Sequence, residues 1–204
     1  SPYVLATGAS VTELRYLSAS GLAMAAFFFE IDLTSPDIAL EVCTPQNKPI
    51  GVGFEPVTQQ AMHVDAEGHR ALGGTNADFG SETQKGPQGI FWKDGVAQKT
   101  VFNTTPARPR SFFAIRTDKR AVAAAAADYD EIAASKVIYE AVGGGPVLVD
   151  DGVVPIPPDP NDLSVEPRPA SGSPRTGRRS GSWSWTAATS TTRTACRSSS
   201  WGSS

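Results

Sequence analysis

The chain has 204 residues, which is enough for one domain of ordinary size with a substantial hydrophobic core. Its formal net charge of −3 is unevenly distributed, because all 21 acidic residues precede Ser171 while five of the 18 basic ones follow it, so that residues 1–170 carry a net charge of −8. An acidic body argues against nucleic acid or an anionic membrane surface as the main partner.

Three segments near the start of the chain have the composition of strands. Residues 11–17 alternate apolar and polar side chains, which is typical of a half-buried strand, and residues 24–33 are more continuously apolar, as in a more buried one. Residues 37–43 alternate again after a Ser-Pro turn. The pattern predicts that the chain begins with three strands.

The next segment has the signals of a helix. Residues 57–67 predict a short helix that begins near Thr58 as the N-cap and ends at Gly68. Residues 70–74 predict a further strand.

Two Asp-Gly pairs predict tight hairpins, since these residues accept the positive φ that a primed turn needs. Asp94-Gly95 lies at the centre of residues 90–100, and Asp151-Gly152 at the centre of residues 146–154. Residues 111–115 predict a strand, the alanine-rich run from Ala121 is helical or extended, and residues 155–169 form a proline-rich connection. Strands therefore dominate, and the expected class is α+β: a β-rich mixed sheet with hairpins, a few helices and an irregular C-terminal tail.

The composition changes near residue 171. Residues 171–204 contain no Val, Ile, Leu, Met, Phe or Tyr, whereas Ser, Thr and Arg accumulate together with three of the four tryptophans. Such a stretch cannot direct an apolar face toward a core. We therefore divide the chain into a domain over residues 1–170 and a tail over residues 171–204, which is either a disordered low-complexity segment or the product of a slipped reading frame.

The genetic code favours the slipped frame, because Trp has the single codon TGG. A one-base slip across Trp185 and Thr186 creates an Asp codon, and the same slip from Ser182 permits a string that contains Leu-Glu-Leu-Asp-Gly-Arg. That string has the pattern of a strand and a polar turn. The expectation is a domain that a frameshift has truncated at its C-terminal side.

Other sequence signals are few. With Cys196 in the tail, Cys43 stands alone and no disulfide framework is visible. His63 and His69 have no partner at metal-ligand spacing, so we expect surface histidines and no metal site. No nucleotide-binding loop or nucleophile elbow is present. No apolar run reaches the length of a membrane span. The first residue is Ser1, with no Met or signal peptide before it, which leads us to expect a processed or fragmentary N-terminus.

Five short motifs, in this order along the chain, resemble the phosphodiester glycosidase family. They are Ser18-Ala-Ser-Gly-Leu22, Gly74-Thr-Asn-Ala-Asp-Phe79, Pro87-Gln-Gly-Ile90, Gly143-Gly-Gly-Pro-Val-Leu-Val-Asp-Asp-Gly152 and Pro174-Arg-Thr176. The family includes the lysosomal uncovering enzyme and many secreted bacterial proteins. It continues with an Asp-Gly-Arg strand end, which the slipped frame also spells, and with an Asp-Gly-Gly-Gly-Ser element that this chain lacks.

The resemblance implies a hydrolase, secreted or in the cell envelope, that cleaves a sugar such as N-acetylglucosamine from a phosphodiester without a metal or cofactor. The implied partner is a sugar phosphodiester or glycan, not nucleic acid. Without the two later elements the chain as written should be inactive. A noncatalytic extracellular carbohydrate- or envelope-binding module with a disordered tail is the alternative, and a purely structural β-rich domain also stays open.

Asn76 and Asp78 are the candidate catalytic residues. They stand two apart after a predicted strand, so on an extended segment both side chains would point to the same side. Asp78 could orient the sugar or act as base or nucleophile, while Asn76 could bind a hydroxyl or acetamido group. An Asx turn that caps its own backbone is the structural alternative. The family commonly has Phe-Phe after the Asp, whereas here Phe79 precedes Gly80.

The candidate substrate-binding residues come from two other motifs. By the resemblance, Arg175 and Thr176 would bind the phosphate, since an arginine fork can hold two phosphate oxygens. Gly143, Gly144 and Gly145 would let the backbone approach a ligand closely. Alternatively, Arg175 belongs to a solvated tail and the glycines form a turn between strands.

Overall fold

The computed structural model describes residues 2–19, 21–48, 53–81, 86–104, 108–154, 168–174 and 182–190, the last of these by its backbone alone. The strands pair antiparallel in two five-stranded sheets and one two-stranded ribbon. Two short α-helices accompany them in the described part of the chain. This β-rich arrangement confirms the predicted α+β class.

The first sheet has the order β1-β2-β3-β12-β11. Its strands are β1 (Tyr3–Ala6), β2 (Ala9–Leu17), β3 (Ala23–Asp32), β11 (Arg168–Gly172) and β12 (Ser182–Ser190). The strands predicted at residues 11–17 and 24–33 are confirmed as β2 and β3. The backbone of β12 runs between β3 and β11, within the segment whose composition predicts irregular structure. The slipped-frame interpretation of that segment stays a prediction.

The second sheet has the order β7-β6-β10-β8-β9, and the short ribbon pairs β4 with β5. Their bounds are β4 (Gly80–Ser81), β5 (Gly86–Pro87), β6 (Phe91–Lys93), β7 (Val96–Lys99), β8 (Ser111–Arg116), β9 (Ala121–Ala125) and β10 (Ile138–Gly144).

The two predicted Asp-Gly turns have different outcomes. Asp94 and Gly95 both have positive φ, 52° and 74°, and join β6 to β7 as the hairpin signal predicts. Asp151 and Gly152 also have positive φ, but they close only a single bridge between Asp150 and Val153. The second hairpin is thus a tight turn without strands.

The helices are α1 (Val57–Val64) and α2 (Tyr129–Ala134). The prediction of α1 is confirmed, although the helix ends before Glu67 and its N-cap position is Pro56, not Thr58. The alanine-rich run is extended in β9 and then turns into α2.

The strands predicted at residues 37–43 and 70–74 are wrong, because neither segment pairs with a strand. In the first segment, side chains that are distant in sequence form the backbone hydrogen bonds that a neighbouring strand would otherwise supply. Glu140 Oε2 accepts the Val42 amide at 3.1 Å, Lys93 Nζ donates to the Val42 carbonyl at 2.8 Å, and Lys119 Nζ donates to the Ile38 carbonyl at 3.3 Å. In the second, the Ala71 amide bonds Asp65 Oδ1.

Strand β8 is buried on both faces. Successive side chains of a strand point to opposite sides, so its residues pack alternately on two parts of the core. Phe112 and Ala114, 1% and 0% exposed, pack with Tyr129 of α2. Phe113 and Ile115 face the other way and pack with Leu33, which directly follows β3. A cavity lies on this second side, between the two sheets.

Candidate active site

The Asp78 carboxylate is held by two backbone amides. Its Oδ2 accepts a hydrogen bond from the Gly89 amide, 11 residues along the chain, and its Oδ1 accepts the neighbouring Phe79 amide at 2.7 Å. The second bond is local, as in the Asx-type alternative, whereas the first joins two separate loops. The carboxylate is therefore fixed in place before any ligand arrives.

Gly89 also brings Asp78 to the triple glycine. The Gly143 amide donates to the Ile90 carbonyl at 2.9 Å, and a Cβ built on Gly143 would lie 2.6 Å from the Gly89 Cα and 3.0 Å from Asp78 Oδ2. Real Cβ atoms essentially never approach another atom as closely as the first distance. The structure thus places Asp78 against the first residue of the glycine run, two features that the sequence singles out separately.

Burial raises the pKa of Asp78 above its ordinary value. The amides of Gly89 and Phe79 and the charges of Arg110 and Lys99 oppose this increase and only partly offset it. A carboxylate with a raised pKa is a stronger base, so Asp78 has the electrostatic character that proton abstraction from water needs.

Asn76 is exposed and lines the same cavity as Asp78. The backbone at both residues is irregular, because the strand predicted just before them does not form. The alternation argument for a shared side therefore does not apply. The relationship that the structure does show is that both residues line the same cavity.

The cavity has a volume of about 690 Å³, within the range of about 300–1,000 Å³ common for small-molecule sites. Its walls come from both sheets and from α1. Among the lining residues are the apolar Phe29, Ile31, Val57, Ala61, Phe91, Phe113 and Val142 and the polar Asn76, Asp78 and Glu140. The two candidate catalytic residues thus contribute polar groups to a mostly apolar cleft.

The other two glycines of the run are less constrained. Ser111 Oγ donates to the Gly145 carbonyl at 2.6 Å, and a Cβ on Gly144 would come no nearer than 3.5 Å to its closest neighbour, Ser111 Oγ. None of the three glycines has a positive φ. The need for glycine in this run therefore arises at Gly143, from close approach.

Three polar residues beside Asp78 escaped the sequence analysis. Gln88 donates its amide to the Phe79 carbonyl at 2.9 Å and lies in the Pro-Gln-Gly-Ile motif, which was a usable signal. Lys99 donates to the carbonyls of Pro87 and Gln88 at 2.7 and 3.2 Å. Arg110 donates to Gln88 Oε1. Nothing in the sequence singles out Lys99 or Arg110, since their position depends on long-range contacts.

Comparison with known protein families matches residues 69–180, more than half of the chain, to the family described as phosphodiester glycosidase. The chain belongs to the phosphodiester glycosidase family. The matched range contains Asn76, Asp78 and the triple glycine. A search of curated proteins finds no match to the chain.

Two further candidate residues, Arg175 and Thr176, fall within the matched range but outside the described residues. In the described part of the chain, no three His, Cys, Asp or Glu side chains are grouped as a metal site requires. His63 bonds Glu55 at 3.0 Å, and His69 bonds Glu41 at 2.9 Å. Neither described α-helix is long and apolar enough to cross a lipid bilayer.

Proposed function

We propose that this phosphodiester glycosidase hydrolyses the bond between a sugar such as N-acetylglucosamine and the phosphate of a phosphodiester. One observation carries the proposal: the Asp78 carboxylate is held by two backbone amides, directly against Gly143, in the wall of a cavity large enough for a sugar phosphate. Family membership supplies the reaction class.

In the reaction, the bond between the anomeric carbon and the phosphate oxygen breaks, and the phosphate monoester leaves with the bonding electron pair. The transition state resembles an oxocarbenium ion, as in other glycosidases. Asp78 either takes a proton from the attacking water or attacks the anomeric carbon itself, in which case water hydrolyses the glycosyl ester in a second step. Asn76 hydrogen-bonds a hydroxyl or acetamido group of the sugar.

We assign Arg175 and Thr176 to the phosphate, and Gly143, Gly144 and Gly145 to the backbone wall that the substrate approaches. Phosphate is a good leaving group, so stabilisation of its charge matters more than protonation, and the reaction as proposed uses no metal or cofactor. The substrate class also supports a location outside the cell or in its envelope.

We further propose that the domain comprises residues 1–170, that residues 171–204 form its tail, and that the reading frame slips within this tail, after the Pro174-Arg-Thr176 motif. The family match ends at residue 180, soon after the change in composition, which supports this interpretation. The nucleotide sequence of codons 170–204 tests it directly. A one-base slip supports the proposal, whereas an uninterrupted frame with matching tails in related genes favours a noncatalytic carbohydrate-binding module.

The activity test measures release of N-acetylglucosamine from an N-acetylglucosamine 1-phosphodiester, with the chain as written and with a repaired full-length protein, here called the restored chain, whose frame continues through the Asp-Gly-Gly-Gly-Ser element. The restored chain should turn over the substrate, and the chain as written should not. In the restored chain Asp78→Asn should lower kcat/KM by at least about 100-fold. Asp118→Asn, a change at an exposed ion pair on the turn between β8 and β9, should leave it unchanged.

Two results would contradict the proposal. One is a soluble, folded, frame-restored chain without turnover. The other is an Asp78→Asn variant as active as the unmodified enzyme. Binding of the glycan without any hydrolysis would support the carbohydrate-binding alternative instead.

A further inference from the structure

Arg110, which directly precedes β8, lies beside the candidate active site. Its guanidinium carbon is 5.5 Å from the ring centroid of Phe79, the neighbour of Asp78. Its Nη2 donates to Gln88 Oε1. A Cβ added to Gly145 would be 3.7 Å from Phe79 Cε2. Arg110, Phe79, Asp78 and the glycine run are therefore close neighbours.

The guanidinium has more donors than acceptors. Of its five N–H groups, only those on Nη2 have an acceptor among the described residues, and Nε is buried without one. Stacking on an aromatic ring occupies the face of a guanidinium and leaves the N–H groups at its edges for hydrogen bonds. Arg110 is thus held in place with donor capacity to spare.

The positive charge here is balanced only in part. Within the described residues, no carboxylate lies within 4.0 Å of Arg110 or of Lys99. Lys99 is already satisfied by neutral oxygens, those of Pro87, Gln88 and Asn103. Asp78 acts on both cations from a greater distance, but one carboxylate balances only one of the two positive charges, and a bound anion would balance the other. In an otherwise acidic body, such a concentration of positive charge stands out.

We propose that Arg110 binds the phosphate group of the substrate, with Lys99 as a positioning residue that holds Gln88 and thereby Arg110. This inference rests on the proposed function and adds to it a phosphate-binding arginine separate from Arg175. A guanidinium matches two phosphate oxygens in a fork, which a sugar hydroxyl does not offer. As the anomeric bond breaks, the hydrogen bonds from Arg110 stabilise the charge that develops on the departing phosphate.

The electrostatic coupling between the two residues supports this placement. The charge of Arg110 opposes the burial that raises the pKa of Asp78. A phosphate bound at Arg110 would therefore weaken that opposition and raise the pKa of the Asp78 carboxyl further, which favours its role as a base.

A direct test uses the chain as it exists, with inorganic phosphate as the probe and titration calorimetry at low salt as the readout. Loss of one charge-assisted contact should make Arg110→Gln bind phosphate about 10- to 100-fold more weakly. The phosphate affinity of Arg110→Lys should lie between those of Arg110→Gln and the unmodified chain, because lysine keeps the positive charge but cannot bind two oxygens as a fork. Arg120→Gln, at an exposed ion pair on the turn between β8 and β9, is the matched control and should bind as the unmodified chain does.

Equal phosphate affinity in Arg110→Gln and the unmodified chain would overturn the proposal, as would an unmodified folded chain that does not bind phosphate. If Arg110→Gln does not fold, modification of the unmodified chain with phenylglyoxal decides, with the reacted arginines located by peptide mass. Phosphate should protect Arg110 and leave Arg120 reactive. No protection of Arg110 overturns the assignment.

A second measurement separates this inference from the proposed function. In a chain that turns over substrate, Arg110→Gln should lower kcat/KM on the sugar phosphodiester much more than on the 4-nitrophenyl glycoside of the same sugar. Equal losses on both substrates would overturn the phosphate role. If neither substrate is hydrolysed, the proposed function fails, while the phosphate titration still decides the role of Arg110.

Discussion

Gly89 and Gly143 lie backbone to backbone, so close that a Cβ added to either would stand within 3 Å of the Cα of the other. This contact joins the loop that leads into β6 to the end of β10. It also places Asp78 at the junction, because the Gly89 amide donates to its carboxylate. The position of Asp78 thus depends on the absence of a side chain at both Gly89 and Gly143.

Gly143→Ala should destabilise the protein by about 1–3 kcal/mol, the usual cost of forcing an extra carbon into a packed site. The new methyl group would lie 2.6 Å from the Gly89 Cα, and that contact involves backbone that cannot easily move. Urea denaturation measures the change in the free energy of unfolding. Gly144→Ala is the matched control, since its methyl group meets nothing nearer than 3.5 Å. Equal destabilisation by the two variants would show that the close contact does not matter.

Glu140 should make stability depend on pH. It is buried, it accepts the amides of Val42 and Asp94, and burial raises its pKa from 4.5 to about 7. Between these values the folded chain retains a proton that the unfolded chain has released. The free energy of unfolding should therefore fall as pH rises through this window, by up to about 3 kcal/mol, and then level off.

Glu140→Gln isolates this contribution, because the amide does not titrate. The variant should lose about 1–2 kcal/mol at pH near 5, where one of the two backbone amides is left without an acceptor. Its loss of stability between about pH 5 and about pH 8 should be smaller than that of the unmodified chain. The same pH slope in both proteins would rule out Glu140 as the source.

The turn between β6 and β7 should tolerate Asn at its first position, Asp94. A side chain at its second position, Gly95, should destabilise it. Gly95 has a φ of 74°, and a Cβ there would meet only Tyr139, at an ordinary 3.6 Å. The cost of Gly95→Ala is then purely conformational, about 1–2 kcal/mol. Asp94→Asn should be neutral, since Asn also accepts the left-handed region. Thermal unfolding of the two variants checks the expectation, which a neutral Gly95→Ala would contradict.

The hydrogen bond between Trp92 and Tyr129 should contribute about 1 kcal/mol to the free energy of unfolding. Trp92 Nε1 donates to the Tyr129 hydroxyl at 2.9 Å, and Tyr129→Phe leaves that partly buried donor unpaired while its edge-on contacts with Phe102 and Phe112 are kept. Tyr139→Phe, at an exposed tyrosine, should have almost no effect. Urea denaturation measures both, and a loss that is the same for the two variants would refute the role of the hydrogen bond.

Local patterns predicted the strands that have neighbours close in sequence. The alternation in β2, the apolar run of β3 and the Asp-Gly pair before β7 each carry their own signal. Residues 37–43 alternate just as well, yet their backbone is bonded by Lys93, Lys119 and Glu140 in place of a neighbouring strand. No local pattern distinguishes these two ways of satisfying a backbone, because the difference lies in side chains far along the chain.

The candidate site was partly predictable for the same reason. Asp78 and Gly143 stand in motifs that resemble the family, and the structure brings them together through Gly89. Arg110 has no motif, and its proximity to Phe79 and Gln88 follows only from the way β8 pairs with β10. The order of motifs therefore identified the carboxylate but not the cations around it.

The side-chain bonds of residues 37–43 have a consequence for synthesis on the ribosome. Val42 is separated by 98 residues from Glu140, and at about 5–20 residues per second this partner emerges about 5–20 seconds later. During that interval the Val42 amide lacks its native acceptor, and residues 37–43 have not yet formed all of their side-chain hydrogen bonds. Slower elongation would lengthen this interval, and a chaperone that shields nascent chains should raise the yield of folded protein.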